Sequence, residues 1–468
     1  MNNFNIKNYK NIYFIGIGGV SMSAIALILK NSGYNVSGSD RTESDLVLKL
    51  KENNIHVNIG HHKENIKDDI DLIVFSKAIH DDNDEIIEAK KKNIHIASRS
   101  EVLGSIMEDF KVNINVAGTH GKSTTTSIIG KVLLDAGLDP TINVGANNKE
   151  IGGNYHIGKH DYFVVEACEY TNSYHDFKPT MEIITNIEAE HLDFFKNLDE
   201  IRKSFKKFVD LLPDKNKGGL LVINNNIDDL NEIIKDTKAK VVTYGNTKAD
   251  LFYNNLSKSE IGTKFDINKN NNGNIEKIGT IETKLLGSHN AENITGAICL
   301  LSELGIDFNI IKNSIKTFTG AERRLEFKGH FNNIQFVNDY AHHPSEIKKS
   351  IEALNAIKTG KLYVIFQPHT YTRLKAFYDD FVDSLCMADK VCLVPIYAAR
   401  EKDIYGINSQ MLSESINKNI NNKSIFVNNF EEAIDFINDN ASKDDIVCVM
   451  GAGDIDDIFK ILTNKNNN

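Results

Sequence analysis

Residues 112–137 read VNINVAGTHGKSTTTSIIGKVLLDAG. The apolar run ending at Ala117 predicts a strand, and the helical spacing of apolar residues from Ile128 to Leu134 predicts a helix. Gly118 and Gly121 bracket the turn between them. A strand, a glycine turn and a helix N-terminus aim backbone N–H groups at one point, with the Lys122 charge beside it. That point suits a phosphate, and the Ser123 hydroxyl suits a Mg2+ ion held by it. The loop is shorter than the common G-x-x-x-x-G-K-[ST] pattern, because Val116 stands where the first glycine belongs. A plain strand-to-helix turn is the alternative reading.

The same alternation of strand and helix runs through the whole chain. Upstream, NIYFIGIGGVSMSAIALILKNSGYNVSGSD (residues 11–40) predicts a strand, a glycine turn, a helix ending near Gly33 and a second strand ending at Asp40. This begins a dinucleotide-type fold, with an acidic residue about 20 positions after the glycines. The glycine fingerprint is altered: Gly16 and Gly18 fit, Gly19 is extra, and Ser21 replaces the third glycine. DLIVFSKAI and NIHIASRSEVLGSIM extend the alternation, so this unit closes near residue 111. Downstream, DYFVVEA, MEIITNI and GGLLVINNN continue the second series, and the Asn/Gly tip between about 240 and 285 predicts β-hairpins. NAENITGAICLLSELG predicts the helix that closes it. A third series begins near Gly320 with four apolar strands in IQFVNDYAHHP, KLYVIFQPH, KVCLVPIY and DIVCVMGAG. Three α/β domains with mainly parallel sheets follow.

Composition agrees. At 468 residues the chain is too long for one ordinary domain, and at ~150 residues per domain three are expected. A net charge of −10 argues against a nucleic-acid surface and leaves small molecules as partners. The five cysteines form no C-x-x-C pair, which suggests neither a disulfide framework nor a zinc site and fits a reducing compartment. No apolar run approaches the ~20 residues of a membrane span. The expectation is a cytoplasmic protein, monomeric or homodimeric, without a membrane partner.

A single acid and an acidic cluster stand at the ends of two apolar strands. DYFVVEA ends in Glu166, where nucleotide-binding sheets place an acidic metal ligand; an ordinary surface carboxylate is the other reading. TNIEAEHLDFF brings Glu188, Glu190, His191 and Asp193 together, which suits either metal ligation or a solvated turn.

GTHGKST, EACEYTNSY, TNIEAEHLDFF, GSHNAEN, GAERRLEF, NDYAHHPSEI, FQPHTYTR, YAAREKDIYG and GAGDI occur in the order and spacing of the Mur ligases, with IGIGGVSMSAIA as the matching N-terminus. The resemblance covers nearly the whole chain. It implies three domains: a Rossmann-like domain over 1–111 that binds a UDP-sugar, a central P-loop-type ATPase domain over 112–320, and a Rossmann-like α/β domain over 321–468 that binds the amino acid. It also implies a reaction in peptidoglycan-precursor synthesis. ATP as co-substrate, with Mg2+ as cofactor, drives attachment of L-alanine to the lactyl carboxylate of UDP-N-acetylmuramate. A branch that attaches a recycled murein peptide to the same sugar nucleotide is the nearest alternative.

By this resemblance Gly16, Gly18 and Gly19 face the UDP pyrophosphate, with Asp40 nearby. Gly118, Thr119, His120, Gly121, Lys122, Ser123 and Thr124 hold ATP, with Mg2+ near Ser123, Glu166 and His191. Many relatives have Asp where this chain has Glu190. His289 and Asn293 sit beside the adenine; helix capping by Ser288 or Asn290 is the structural alternative at that turn. Arg324 approaches the γ-phosphate, and a buried structural ion pair is the alternative reading for one arginine of the Arg323–Arg324 pair. Lys122, Glu166, His191 and Arg324 form the catalytic set. Tyr340, His342, His369 and Arg373 surround the amino acid, whose carboxylate suits a planar guanidinium. Some relatives carry Arg in place of Thr370, and His343 reads equally as packed or functional. Lys206 and Lys207 follow His191 at a suggestive distance, but the branch resembled lacks the carbamylated lysine of other Mur ligases.

Overall fold

In a computed structural model, residues 4–76, 79–159, 161–192, 194–259, 262–399, 401–420 and 423–466 are described. The chain divides into two compact units, Met1–Asp250 with Gly296–Ile311, and Leu251–Thr295 with Lys312–Asn468.

The first unit holds two sheets. The N-terminal one has five parallel strands, with Asn11–Ile15 in the centre, Asn35–Asp40 and His56–Ile59 on one side, and Leu72–Phe75 and His95–Ser98 on the other. The chain therefore moves away from the central strand in one direction and later resumes on its other side. Such a reversal opens a crevice at the strand's C-terminal end, where the glycine turn lies. The helix Val20–Asn31 buries eight consecutive residues from Met22 to Leu29, which explains its nearly unbroken apolar sequence.

In the second sheet the strand Val112–Ala117 lies between Met181–Ile184 and Tyr162–Glu166, parallel to both. Leu220–Asn224 and Lys240–Gly245 extend it on one side and Thr141–Asn148 on the other, all parallel. Gly153–His156 adds an antiparallel edge, which the sequence reading did not anticipate. The helix Lys122–Asp135 follows the central strand directly.

The second unit contains an antiparallel ribbon, Leu251–Ser259, Gly262–Asn271 and Asn274–Thr283, whose second turn is the expected Asn/Gly tip. Its main sheet has six strands rather than the four foreseen. Glu326–Phe331 pairs antiparallel with Ile334–Asp339. Beyond them, in order, lie Ile446–Met450, Leu362–Phe366, Lys390–Leu393 and Ser424–Phe426, all parallel. The two additional strands are short or half exposed, so neither carries the continuous apolar run that marks a buried parallel strand. All five cysteines are free. Among the described residues no helix is long and apolar enough to cross a membrane.

Candidate active site

The 118–121 turn is held from the side by the segment that follows the neighbouring strand. Thr119 N–H donates to the Asn186 carbonyl (3.1 Å) and His120 N–H to Asn186 Oδ1 (2.8 Å). The His120 carbonyl accepts from Thr185 Oγ1 (2.6 Å) and Asn186 Nδ2 (3.0 Å). Glu188 N–H donates to Thr119 Oγ1 (2.9 Å). Two glycines are required for this path. Gly118 has φ 134° and a Cβ there would stand 2.0 Å from Thr185 Oγ1. Gly121 caps the helix in the left-handed region at φ 82°. The loop is thus built rigidly, with Ser123 and Thr124 buried on the first turn of the helix.

Lys122 Nζ lies inside the turn, 2.5 Å from the Gly118 carbonyl and 3.0 Å from that of Thr119. It also reaches the carboxylate of Glu169, at 3.1 and 3.4 Å to its two oxygens. Burial opposes the Lys122 charge, but the groups around it, Glu169 first and Glu166 among the rest, together outweigh burial and hold the ammonium well above its usual range. Glu169 is a site residue that the sequence reading missed, although EACEY placed it three positions after Glu166. On its far side, Glu169 Oε1 stands 3.9 Å from His191 Nε2.

Glu166 ends its strand as foreseen, and its Oε2 accepts the Gly145 N–H (2.7 Å). His191 has a left-handed backbone (φ 55°), and its ring lies 4.6 Å from that of Tyr170. Glu190 is buried and its Oε1 accepts the His191 N–H (3.2 Å). Glu188 Oε2 lies 3.4 Å from His120 Nε2. Asp193 lies outside the described residues. Ser123, Glu166, Glu169 and His191 offer a hydroxyl, two carboxylates and an imidazole, donor types that suit Mg2+, although among the described residues Glu166, Glu169 and His191 do not draw together into one three-ligand cluster. Lys206 takes no part here, since its Nζ pairs with Asp236 (3.0 Å).

At the first glycine turn Asp40 Oδ2 accepts the Gly18 N–H (2.8 Å), and a Cβ on Gly18 would stand 2.8 Å from that same oxygen. Gly16 has φ 76°, and Gly19 N–H closes the turn on the Gly16 carbonyl (3.3 Å). Ser21, in place of the third glycine, accepts a hydrogen bond from Arg99 Nη1 (2.7 Å).

In the second unit the helix Ser288–Glu303 begins after Gly287 (φ 90°), where a Cβ would meet the His289 ring at 2.6 Å. Burial, aided by the Lys349 charge, pulls the His289 imidazole down to about 4, so it is neutral at pH 7. Asn293 Nδ2 donates to Asn290 Oδ1 (3.4 Å), and Asn290 Nδ2 to the Leu286 carbonyl (2.8 Å).

The Arg323–Arg324 pair divides its work. Arg323 Nη2 donates to the carbonyls of Gly451 (2.6 Å) and Gly453 (3.1 Å), which makes it structural. Its partners are backbone carbonyls, not the carboxylate expected of an ion pair. Arg324 is partly exposed, 3.9 Å from Glu346 Oε1, with its guanidinium 5.2 Å from the Tyr340 ring centre.

Tyr340 and His342 follow the strand Ile334–Asp339, while His369 and Arg373 follow Leu362–Phe366. These two strands flank Ile446–Met450, so the four side chains converge at the C-terminal end of one sheet. The His342 and His369 rings are 5.8 Å apart, and Arg373 Nη1 lies 3.0 Å from His369 Nδ1. His369 stacks on Tyr397 at 5.6 Å. Glu346, also missed from the sequence, accepts the His342 N–H (3.1 Å) and stands 3.4 Å from its Nδ1. His343 takes the structural role: it caps the helix Pro344–Asn355 in a capping box with Glu346. Thr370, at φ 68°, caps the next short helix through its hydroxyl.

Three family models match the chain in sequence: "Mur ligase family, catalytic domain" over residues 11–111, "Mur ligase middle domain" over 116–301, and "Mur ligase, glutamate ligase domain" over 323–453. A UDP-N-acetylmuramate–L-alanine ligase of Caldicellulosiruptor bescii is 44% identical over 454 residues, covering 97% of this chain and 98% of that one. The crystal structure of the UDP-N-acetylmuramate-alanine ligase of Thermotoga maritima superposes with a TM-score of 0.82 at 27% identity, covering 98% and 99% of the two chains. A murein peptide ligase from Psychrobacter arcticus shares the fold, with a TM-score of 0.71 at 21% identity over 98% and 99%.

Proposed function

This chain belongs to the Mur ligase family, and from that premise we propose that it joins L-alanine to the lactyl carboxylate of UDP-N-acetylmuramate. ATP is consumed, and the products are UDP-N-acetylmuramoyl-L-alanine, ADP and phosphate, in the synthesis of peptidoglycan precursors. One observation carries the choice of substrates: end-to-end similarity to an L-alanine-adding ligase at 44% identity. The peptide-adding neighbour is alike in fold alone. We place the enzyme in the cytoplasm, with domain boundaries at 111/112 and 320/321.

A carboxylate does not accept an amine, because its oxygen is a poor leaving group and its charge shields the carbon. Transfer of the γ-phosphoryl group to a lactyl oxygen releases ADP and forms an acyl phosphate. The alanine amine then attacks the carbonyl carbon, loses a proton and expels phosphate. Gly118–Thr124 hold the ATP phosphates, with the Thr119 and His120 N–H groups committed to Asn186 and those at the helix N-terminus left to serve the phosphates, and Lys122 and Arg324 offset the charge on the transferring group. Mg2+, held by Ser123, Glu166 and His191, would supply further charge neutralisation when bound. Neutral His289 and buried Asn293 flank the adenine. Gly16, Gly18 and Gly19 receive the UDP pyrophosphate, with Asp40 fixing their turn. Tyr340, His342, His369 and Arg373 receive the amino acid, with Arg373 assigned to its carboxylate.

The test compares phosphate release with UDP-N-acetylmuramate, ATP and either L-alanine or an L-alanyl-γ-D-glutamyl peptide. Release with L-alanine and not with the peptide is expected. The opposite preference moves the chain to the peptide-adding branch, and release without either acceptor rejects the ligase reading.

A further inference from the structure

Lys122 cannot serve a phosphate from the place it occupies. An ammonium has three N–H donors, and Lys122 Nζ has the Gly118 carbonyl at 2.5 Å, the Thr119 carbonyl at 3.0 Å and the Glu169 carboxylate at 3.1 Å. All three acceptors belong to the protein. The pair is sequestered, with the Lys122 side chain 13% exposed and that of Glu169 only 2%. A buried ammonium without a counter-charge is strongly disfavoured. Glu169 supplies that charge from the loop after the strand Tyr162–Glu166, 47 positions along the chain.

We propose that Glu169 is a positioning residue that parks the Lys122 ammonium against the Gly118 and Thr119 carbonyls until a nucleotide phosphate displaces it. The inference rests on the reading of Gly118–Thr124 as the ATP loop. Carboxylate and phosphate then compete for one cation, so part of the nucleotide's binding energy is used to part Lys122 from Glu169. Glu169→Gln keeps the shape and a hydrogen-bond acceptor but withdraws the charge. Phosphate meets a weaker competitor and nucleotide binds more tightly. A residue with only a packing role would leave affinity unchanged or lower it.

The experiment is calorimetric titration of the full chain with ATP in EDTA, which removes divalent metal as a bridge between phosphate and carboxylate. Glu169→Gln is expected to tighten ATP binding by roughly fivefold or more, the scale of an ordinary coupling between two sites. In a Lys122→Met background the same change is expected to give a clearly smaller factor, since there is no longer a shared cation to release. Unchanged or weaker binding in Glu169→Gln overturns the proposal, and so does an equal gain without Lys122. Should Glu169→Gln fail to fold by circular dichroism, Glu169→Asp draws the carboxylate back by one methylene and is expected to move affinity the same way by a smaller factor; no gain there overturns the proposal. Absence of ATP binding by the folded wild-type chain overturns the reading of the loop, and this inference with it.

Discussion

Glu182 and Asn115 are register partners on neighbouring parallel strands, both fully buried. Neither carboxyl oxygen of Glu182, and neither amide atom of Asn115, has a hydrogen-bond partner among the described residues. Burial, with a smaller push from the Asp210 charge, holds the Glu182 carboxyl well above its usual range. The folded protein therefore keeps a proton that the unfolded chain releases above about pH 4.3. The associated stability is fully present below that value and is lost as pH rises toward the folded pKa, at about 1.4 kcal/mol per pH unit. Glu182→Gln removes this dependence. Its melting temperature is expected to exceed that of the wild type at pH 8, with the gap closing toward pH 5, by calorimetric scans across that range.

Gly104 lies in the helix Arg99–Met107, where a Cβ would stand 2.0 Å from the Asp176 carbonyl oxygen. Backbone cannot swing aside as a side chain can, so this helix and the short 3-10 helix Tyr170–Asp176 must move apart. Gly104→Ala is expected to cost about 1–3 kcal/mol through overpacking, in spite of alanine's better helix propensity. Urea denaturation curves measure the loss.

The two adjacent arginines are expected to fail in different ways. Arg323→Ala removes charge-assisted bonds to the Gly451 and Gly453 carbonyls, each worth about 1.5–3 kcal/mol, and lowers the melting temperature. Arg324→Ala, losing a partly exposed contact to Glu346 and its place over the Tyr340 ring, keeps its melting temperature within a few degrees but loses about 100-fold or more in turnover. Thermal scans paired with steady-state rates separate the two, and a reversed pattern would exchange their roles.

An acyl phosphate leaves an isotopic trace. With oxygen-18 in the lactyl carboxylate, ATP and L-alanine, mass spectrometry of the released phosphate is expected to find one labelled oxygen. Label in AMP would mean an adenylate route, and unlabelled phosphate would mean idle ATP hydrolysis.

Much of the fold was legible because its signals are local. Apolar runs ending in glycine turns marked the strands Asn11–Ile15 and Val112–Ala117, and each led directly into its helix. The antiparallel edge Gly153–His156 was not legible, because only two of its four residues carry large rings and none is aliphatic. Within the candidate site, Lys122 was legible as the cation of the turn, whereas Glu169 and Glu346 were not. Each carboxylate is defined by what it touches, and neither Lys122 nor Arg324 lies near enough in sequence to announce the pairing.

The sequence by itself determined the α/β alternation, the two glycine turns and the family, since these depend on residue type and spacing along the chain. Tertiary structure decided which charges meet. It turned Asp40 onto Gly18, closed Glu169 on Lys122 and made Arg323, rather than Arg324, the structural member of its pair. The order of parallel strands selects those neighbours. That order is set by crossover connections spanning tens of residues, and no local pattern records it.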